Sequence, residues 1–299
     1  MSITLAWAPS PLISRLEVSG PSHERFLQGL CSNDVVKLEV DHACEAFVPT
    51  IQGKILAHGF LVKQEDRIRF LGMGPQKDDL LPHLQKYAMI EDVEVTDRSG
   101  NTDAVLVWGS DAANWLKQTL GLEAAPQPLQ VLSATAEGKP FDVFHTTLLG
   151  EPAYEVSGEG VASLLSGFEA CEEQLERLRI QNRFPRHGVD FGADHLGQEV
   201  NRDDQAISFT KGCYLGQETI ARIDAMGHVN KKIVPVRWAG EGAPPELPAS
   251  IVVDGKEVGR LTSLADIDSQ WIGIAMLKRG MNAPGTQLET ELGTIDVIA

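Results

Sequence analysis

The sequence predicts an α+β protein made of two mixed strand-and-helix units followed by a small closed β-barrel. Three observations carry that expectation. From Glu45 to Asp97, strand-like runs surround a single helical segment. From Asp103 to about Ile180, a second alternation of strands and helices follows. Beyond Val229 helical periodicity disappears, leaving short strands separated by turns. A chain of 299 residues with 42% apolar content suits two or three domains, each with its own core.

Taken in order, ISRLEV reads as a strand, and Gly20-Pro21-Ser22 punctuates it before the helical face of Phe26, Leu27 and Leu30. EAFVPT, KILAHGFLVK and RIRFLG are strands, divided by the turn signals Gln52-Gly53 and Glu65-Asp66. The helix DDLLPHLQKYAM and the strand DVEVTD complete this unit. The second begins with the strand AVLVWG, after which Ser110 is expected to cap a helix that Gly121 ends. VLSAT, PFDVFHT and AYEVSG follow as strands, then VASLLSGF and CEEQLERLRI as helices. In the last part, KKIVPVRWAG, SIVVDGKEVGRLTS, WIGIAMLK and QLETELGTIDVIA are strands, and Asp254-Gly255 carries hairpin-turn chemistry. The expected domains are 1–46 together with 101–228, then 47–100, then a barrel over 229–299.

Composition narrows the function. The net charge is −16, which disfavours broad phosphate-neutralising contact with nucleic acid. Four cysteines (Cys31, Cys44, Cys171 and Cys213) form no CxxC pair, so neither a disulfide framework nor a structural zinc or cluster site held by this chain alone is expected. No apolar run is long enough for a membrane span, and the opening MSITLAWAPSPLI lacks a basic n-region. A cytoplasmic protein without a membrane partner is expected.

The charge is unevenly spread. Between Arg177 and Lys232 nine basic residues face seven acidic ones, a net of +2 that leaves −18 for the rest of the chain. A cationic island in an acidic protein is a candidate anion site, although a solvated, self-paired face has the same composition. Inside it lies ISFTKGCYLGQETIAR, where Gly212 and Gly216 bracket Cys213-Tyr214-Leu215. Lys211, two residues before Cys213, is placed to favour a thiolate there. The plain alternatives are a buried inert thiol and solvated Lys211 and Arg222. His187, His195 and His228 share the island without compact metal-ligand spacing, and no metal site is expected.

KGCYLGQE, with SFT before it and ETIAR after it, resembles the signature of the YgfZ-type folate-binding proteins, paralogues of the glycine-cleavage T-protein. FLQGLCSNDV, VPTIQGKILAHGFLV, LLPHLQKYAMIEDVEVTD and LRIQNRFPRHGVDF agree in order, so the resemblance runs to about Lys232. It implies a three-domain T-protein-like ring with two ferredoxin-like-type α+β domains and a C-terminal β-barrel. The discontinuous first domain would be the folate-binding one, and the channel would take tetrahydrofolate or a one-carbon derivative. Catalytic roles would fall to Cys213 and Lys211, and folate contacts to Glu155, Arg179, Tyr214, Gln217, Glu218 and Arg222. Glu155 lies in LLGEPAYEV, and a carboxylate suits paired N–H groups of a pterin. Its plain alternative is an outward residue on an alternating strand, and that of Arg179 is a helix-surface partner for Glu176.

One departure matters. T-proteins carry an acidic pair after the G-x-I-L stretch, whereas here Gly53-Lys54-Ile55-Leu56 leads into Ala57 and His58. Alanine is neither acid nor base, and an imidazole supplies no permanent negative charge. The resemblance therefore implies an accessory protein for iron–sulfur cluster assembly or maintenance, with iron–sulfur enzymes or assembly factors as partners and any tRNA-modification link running through such enzymes. Folate-dependent aminomethyltransferase or one-carbon transferase activity is the alternative, and a folded interaction module without folate a third.

Overall fold

The computed structural model of the protein describes residues 4–100 and 103–299. In the first half the elements are β1 (Ala6–Pro9), β2 (Ser14–Ser19), α1 (His23–Gln28), β3 (His42–Pro49), β4 (Ile55–Lys63), β5 (Arg67–Gly72), α2 (Lys77–Ala88) and β6 (Glu94–Asp97). There follow β7 (Ala104–Trp108), α3 (Ala112–Leu120), β8 (Val131–Ala136), β9 (Lys139–Thr146) and β10 (Ala153–Ser157). The helices α4 (Glu172–Gln181), α5 (Asp203–Ala206) and α6 (Gln217–Met226) lead to β11 (Lys231–Ala239), β12 (Ala249–Val253), β13 (Lys256–Ile267), β14 (Gln270–Lys278), β15 (Gln287–Thr290) and β16 (Gly293–Val297).

Three antiparallel sheets organise them. One runs β3-β4-β5-β2-β6, the second β1-β7-β10-β9-β8, and the third β12-β13-β14-β11-β16-β15. In the third, the edge strands β12 and β15 lie against each other and nearly close a barrel. The Asp254-Gly255 hairpin has the positive φ at both positions, 50° and 71°, that a type I′ turn requires. Helix α3 ends on Gly121 in the left-handed conformation, while its N-cap is Asp111, one residue after the expected Ser110.

The sheets divide the N-terminal part differently from the expected grouping of 1–46 with 101–228. Only β1 joins the second sheet, pairing with β7. Strands β2 and β3 hydrogen-bond to β5 and β4 of the first sheet. Helix α1 follows them, its Phe26 and Leu27 packing with Leu16, Ile68 and Leu80. The pull is the shared core, which leaves no apolar face on β2 free for the other sheet. Residues 1–3 and 101–102 of the expected spans lie outside the described residues.

The two α+β sheets meet through Leu12, Phe60, Val62, Leu106, Trp108, Phe144 and Phe184. A further cluster of Phe47, Ile55, Phe191, Tyr214, Ile233 and Ile274 joins the first sheet, the segment before α6 and the barrel. Burying such side chains contributes about 1.5–3 kcal/mol each. These two cores hold the segment 183–216, which has little regular structure of its own.

Candidate functional site

The KGCYLGQE segment is pinned on both sides of Cys213. Upstream, Lys211 is buried, and its Nζ donates to the carbonyl oxygens of Gln28 at 2.8 Å, Cys31 at 2.8 Å and Asn33 at 2.7 Å. An ammonium has three protons, so this set saturates it. The acceptors include the end of α1 and the turn after it, where carbonyls lack intrahelical donors. Burial pushes the Lys211 ammonium below its usual range, and its Nζ also stands 4.9 Å from the Tyr214 ring centre. Tyr214 is buried, which lifts its phenol to about 12.

Downstream, the Leu215 amide donates to the Gly29 carbonyl at 2.9 Å. Gly216 has φ of 79°, and a Cβ there would lie 2.4 Å from the Thr50 carbonyl oxygen. Gly53 in the facing β3–β4 turn has φ of 78°, and its Cβ would lie 2.7 Å from Thr219 Cβ. The QGK turn and the start of α6 therefore touch backbone to backbone, an approach only glycine permits. Gly212 differs, since an added Cβ would meet nothing within 4 Å. Between these anchors Cys213 is exposed.

Lys211 does not serve Cys213 as the spacing suggested. Its side chain turns inward, and the sulfur it approaches is that of Cys31, at 3.7 Å. Cys31 is fully buried, and burial raises its thiol despite the Lys211 charge. Lys211 is thus a positioning residue for the loop.

Behind the loop lies a cavity of about 690 Å³, with Asn33, Cys44, Glu45, His145, Asn182 and Arg202 in its wall. Asn33 connects the two places. Its carbonyl accepts from Lys211, and its Nδ2 donates to the Glu45 carbonyl at 2.8 Å. The Glu45 carboxylate accepts from Arg202 Nε at 2.8 Å, from Arg202 Nη2, and from His58 Nε2 at 2.7 Å. Burial alone would raise the Glu45 carboxyl, but these hydrogen bonds and the Arg202 charge carry it down to about 2. His58 is held by rings, with Phe47, Phe184 and Phe191 centred 5.0, 5.4 and 5.7 Å away. The Ala57 side chain is fully buried in the first-sheet core. The position that the resemblance would make acidic is therefore filled by packing.

The other expected site residues are dispersed. Glu155, on β10, is 2% exposed and accepts from Arg15 Nη1 at 3.1 Å, from Arg15 Nη2 at 2.9 Å and from the Ser10 hydroxyl. It is neither an outward strand residue nor an acceptor left open for a pterin. Arg179 does pair with Glu176, at 2.6 Å, but it is fully buried and also binds Asp190 at 2.8 Å and Ser263 Oγ at 2.8 Å. With Asp190 accepting from Thr262 and Ser263, that arginine ties α4 to the barrel. Gln217 opens α6 half-buried, while Glu218 and Arg222 are exposed on it. His187 is buried, its ring nitrogens have no hydrogen-bond partner among the described residues, and burial lowers its pKa to about 4. The cavity residues Glu45 and Asn33 went unmarked in the sequence, whereas Arg202 stood among the nine cations of the island.

The GCVT N-terminal domain matches residues 11–163. An iron-sulfur cluster assembly factor IBA57 homolog, mitochondrial, from Mycosarcoma maydis is 31% identical over 92% of this chain and 67% of its own length. The tRNA-modifying protein YgfZ of Vibrio vulnificus (strain YJ016) is 28% identical over 79% of this chain and 71% of its own. In structure, the glycine cleavage system aminomethyltransferase T from Bartonella henselae superposes with a TM-score of 0.86 over 100% of this chain and 86% of that one, at 17% identity. That likeness concerns the fold: three parts arranged as in T-protein, with the barrel last.

Proposed function

We propose, from the premise that the chain belongs to the GCVT N-terminal domain family in its YgfZ-type, GcvT-like branch, that it is a tetrahydrofolate-binding accessory protein of iron–sulfur cluster assembly or maintenance. Cys213 is its reactive group. The observation that carries this reading is the exposed Cys213 thiol on a loop fixed by Lys211, Leu215 and Gly216. A thiol that must meet another protein needs solvent access and a rigid mount, and Cys213 has both. One cysteine cannot hold a cluster, so its sulfur ligates iron transiently, alongside ligands from an iron–sulfur enzyme, an assembly factor or a second copy.

Tetrahydrofolate, or a one-carbon derivative, occupies the cavity beside Arg202. Its volume of about 690 Å³ lies within the range of small-molecule sites. Arg202, two of whose nitrogens are committed to Glu45, keeps a further N–H face for the anionic glutamate tail, and Asn33, Asn182 and His145 supply polar contacts. Glu155 would join only by giving up Arg15 and Ser10. Aminomethyl transfer is the weaker reading, because buried Ala57 offers no acid or base. A link to tRNA modification runs through cluster-containing enzymes, consistent with the net charge of −16.

Two measurements test this. Calorimetry with tetrahydrofolate should give saturable binding that Arg202→Gln weakens about tenfold and Cys213→Ala leaves intact. Cells lacking the protein should recover the activity of a cluster-dependent enzyme with wild type and not with Cys213→Ala. Full recovery with that variant removes the thiol role, and absence of heat with tetrahydrofolate removes the folate role.

A further inference from the structure

A second, smaller cavity of about 410 Å³ lies at the end of α6, where Gln198, Asp203, Asp224, Lys232, Arg279 and Asn282 contribute to its wall. It shares no lining residue with the Arg202 cavity. Two of its acceptors have no partner among the described residues. Gln198 is 5% exposed, and its Nε2 donates to the Ile220 carbonyl at 2.7 Å. Only the amide nitrogen can donate to a carbonyl, so the orientation of this side chain is fixed. That leaves Oε1 buried with no donor among the described residues, and Asp203 Oδ1 is buried in the same condition. Buried acceptors of this kind call for a donor from outside the chain.

The same wall also carries two cations, Lys232 half-buried and Arg279 exposed. Lys232 and Arg279 make no side-chain hydrogen bond or ion pair among the described residues. Lys232 is near enough for its charge to act on Asp203, yet the two form no ion pair. A cation would satisfy Gln198 and Asp203 and ignore Lys232 and Arg279, and an anion would do the reverse. A ligand carrying both groups a few bonds apart satisfies all four. We infer that this cavity is a binding site for a free α-amino acid, its ammonium donating to Gln198 Oε1 and Asp203 Oδ1 and its carboxylate meeting Lys232 and Arg279. The volume sits at the lower end of the ~300–1,000 Å³ of small-ligand sites, as so small a molecule requires. Asp203 lies between Arg202 and Asp204 in the chain, both in the wall of the larger cavity.

The test is calorimetry and thermal shift on the full chain with each common L-amino acid in turn. The best binder is then compared with its N-acetyl form, which lacks the ammonium, and its decarboxylated amine, which lacks the carboxylate. The expected result is one or more amino acids with Kd below about 1 mM, and both blocked forms weaker by at least about tenfold. Asp203→Asn and Lys232→Gln should each cost about tenfold as well, with circular dichroism unchanged. If a variant fails to fold, the blocked ligands decide. No shift with any amino acid, meaning that water alone fills the cavity, overturns the assignment. So does equal binding of either blocked form, or undiminished affinity in folded variants.

Discussion

Lys211 donates to the carbonyl of Cys31 at 2.8 Å and approaches that residue's sulfur at 3.7 Å, so the cation of the signature loop is spent on the turn after α1. This makes Lys211 a buried strut with a measurable structural cost. Lys211→Met keeps the stem and removes the ammonium, leaving the carbonyls of Gln28, Cys31 and Asn33 without their donor. We expect a loss of about 2–4 kcal/mol in denaturant unfolding. The Leu215 amide, bonded to Gly29 on the same turn, should exchange its hydrogen faster. A stability within about 0.5 kcal/mol of wild type would contradict the strut.

Gly216→Ala probes the other anchor. The new Cβ meets the Thr50 carbonyl and must sit at a φ of 79°. Backbone strain of this kind costs about 1–3 kcal/mol before the clash is counted. The variant should melt lower and lose support of the cluster-dependent enzyme although Cys213 is retained. Gly212→Ala is the control, since its Cβ meets nothing within 4 Å. Equal effects of the two substitutions would refute the close approach as the reason for the second glycine.

Much of this architecture was legible, and the failures have physical causes. Glycine and turn chemistry found Gly121, Asp254-Gly255 and Gly216, because positive φ depends on the residue itself, but the same reasoning marked Gly212, which is not in that conformation. Spacing misread the pairing of Lys211 with Cys213, since neighbours in an irregular segment need not share a direction and burial decides which turns inward. For Glu155, the plain alternative of an outward strand residue fails because β10 is buried on both faces. Ala153 packs into the core between the two α+β sheets, while Tyr154 and Val156 pack against α3 and its surroundings. The cavity wall escaped detection because Glu45 and Arg202 are 157 residues apart and meet only after folding.

The Glu45–Arg202 pair predicts an acid sensitivity. Arg202 and His58 overcome burial and hold the Glu45 carboxyl at about 2, below its ordinary 4.5. A depressed carboxyl contributes stability that is complete above the unfolded value and lost as pH falls through the folded one. The window is therefore pH 4.5 down to 2, and the contribution is about 3 kcal/mol. Glu45→Gln should be less stable by a similar amount at pH 7, because Arg202 loses its counter-charge. Its stability should also fall less steeply than that of wild type across this window. Parallel acid-unfolding curves would rule out Glu45 as the group responsible.

Asp203 predicts the opposite sign. Burial lifts its carboxyl from 3.8 to about 6, with Lys232 pulling it down and Asp204 and Asp224 adding to the rise. A raised carboxyl favours the fold while protonated, and that advantage is lost as pH climbs from 3.8 through 6. At pH 7.5 the ionised group therefore weighs against the native state, by about 1–2 kcal/mol once its partial exposure is allowed for. Asp203→Asn removes the charge and keeps an acceptor, so it should raise the melting temperature by about 2–5 °C at pH 7.5. The gain should shrink towards zero near pH 4. Together with the expected loss of amino-acid affinity, one substitution would make the protein more stable and less able to bind. That is the usual mark of a residue kept for a ligand and not for the fold. Melting curves at the two pH values decide it: an equal shift at both, or a loss at pH 7.5, would leave Asp203 as an ordinary surface carboxylate.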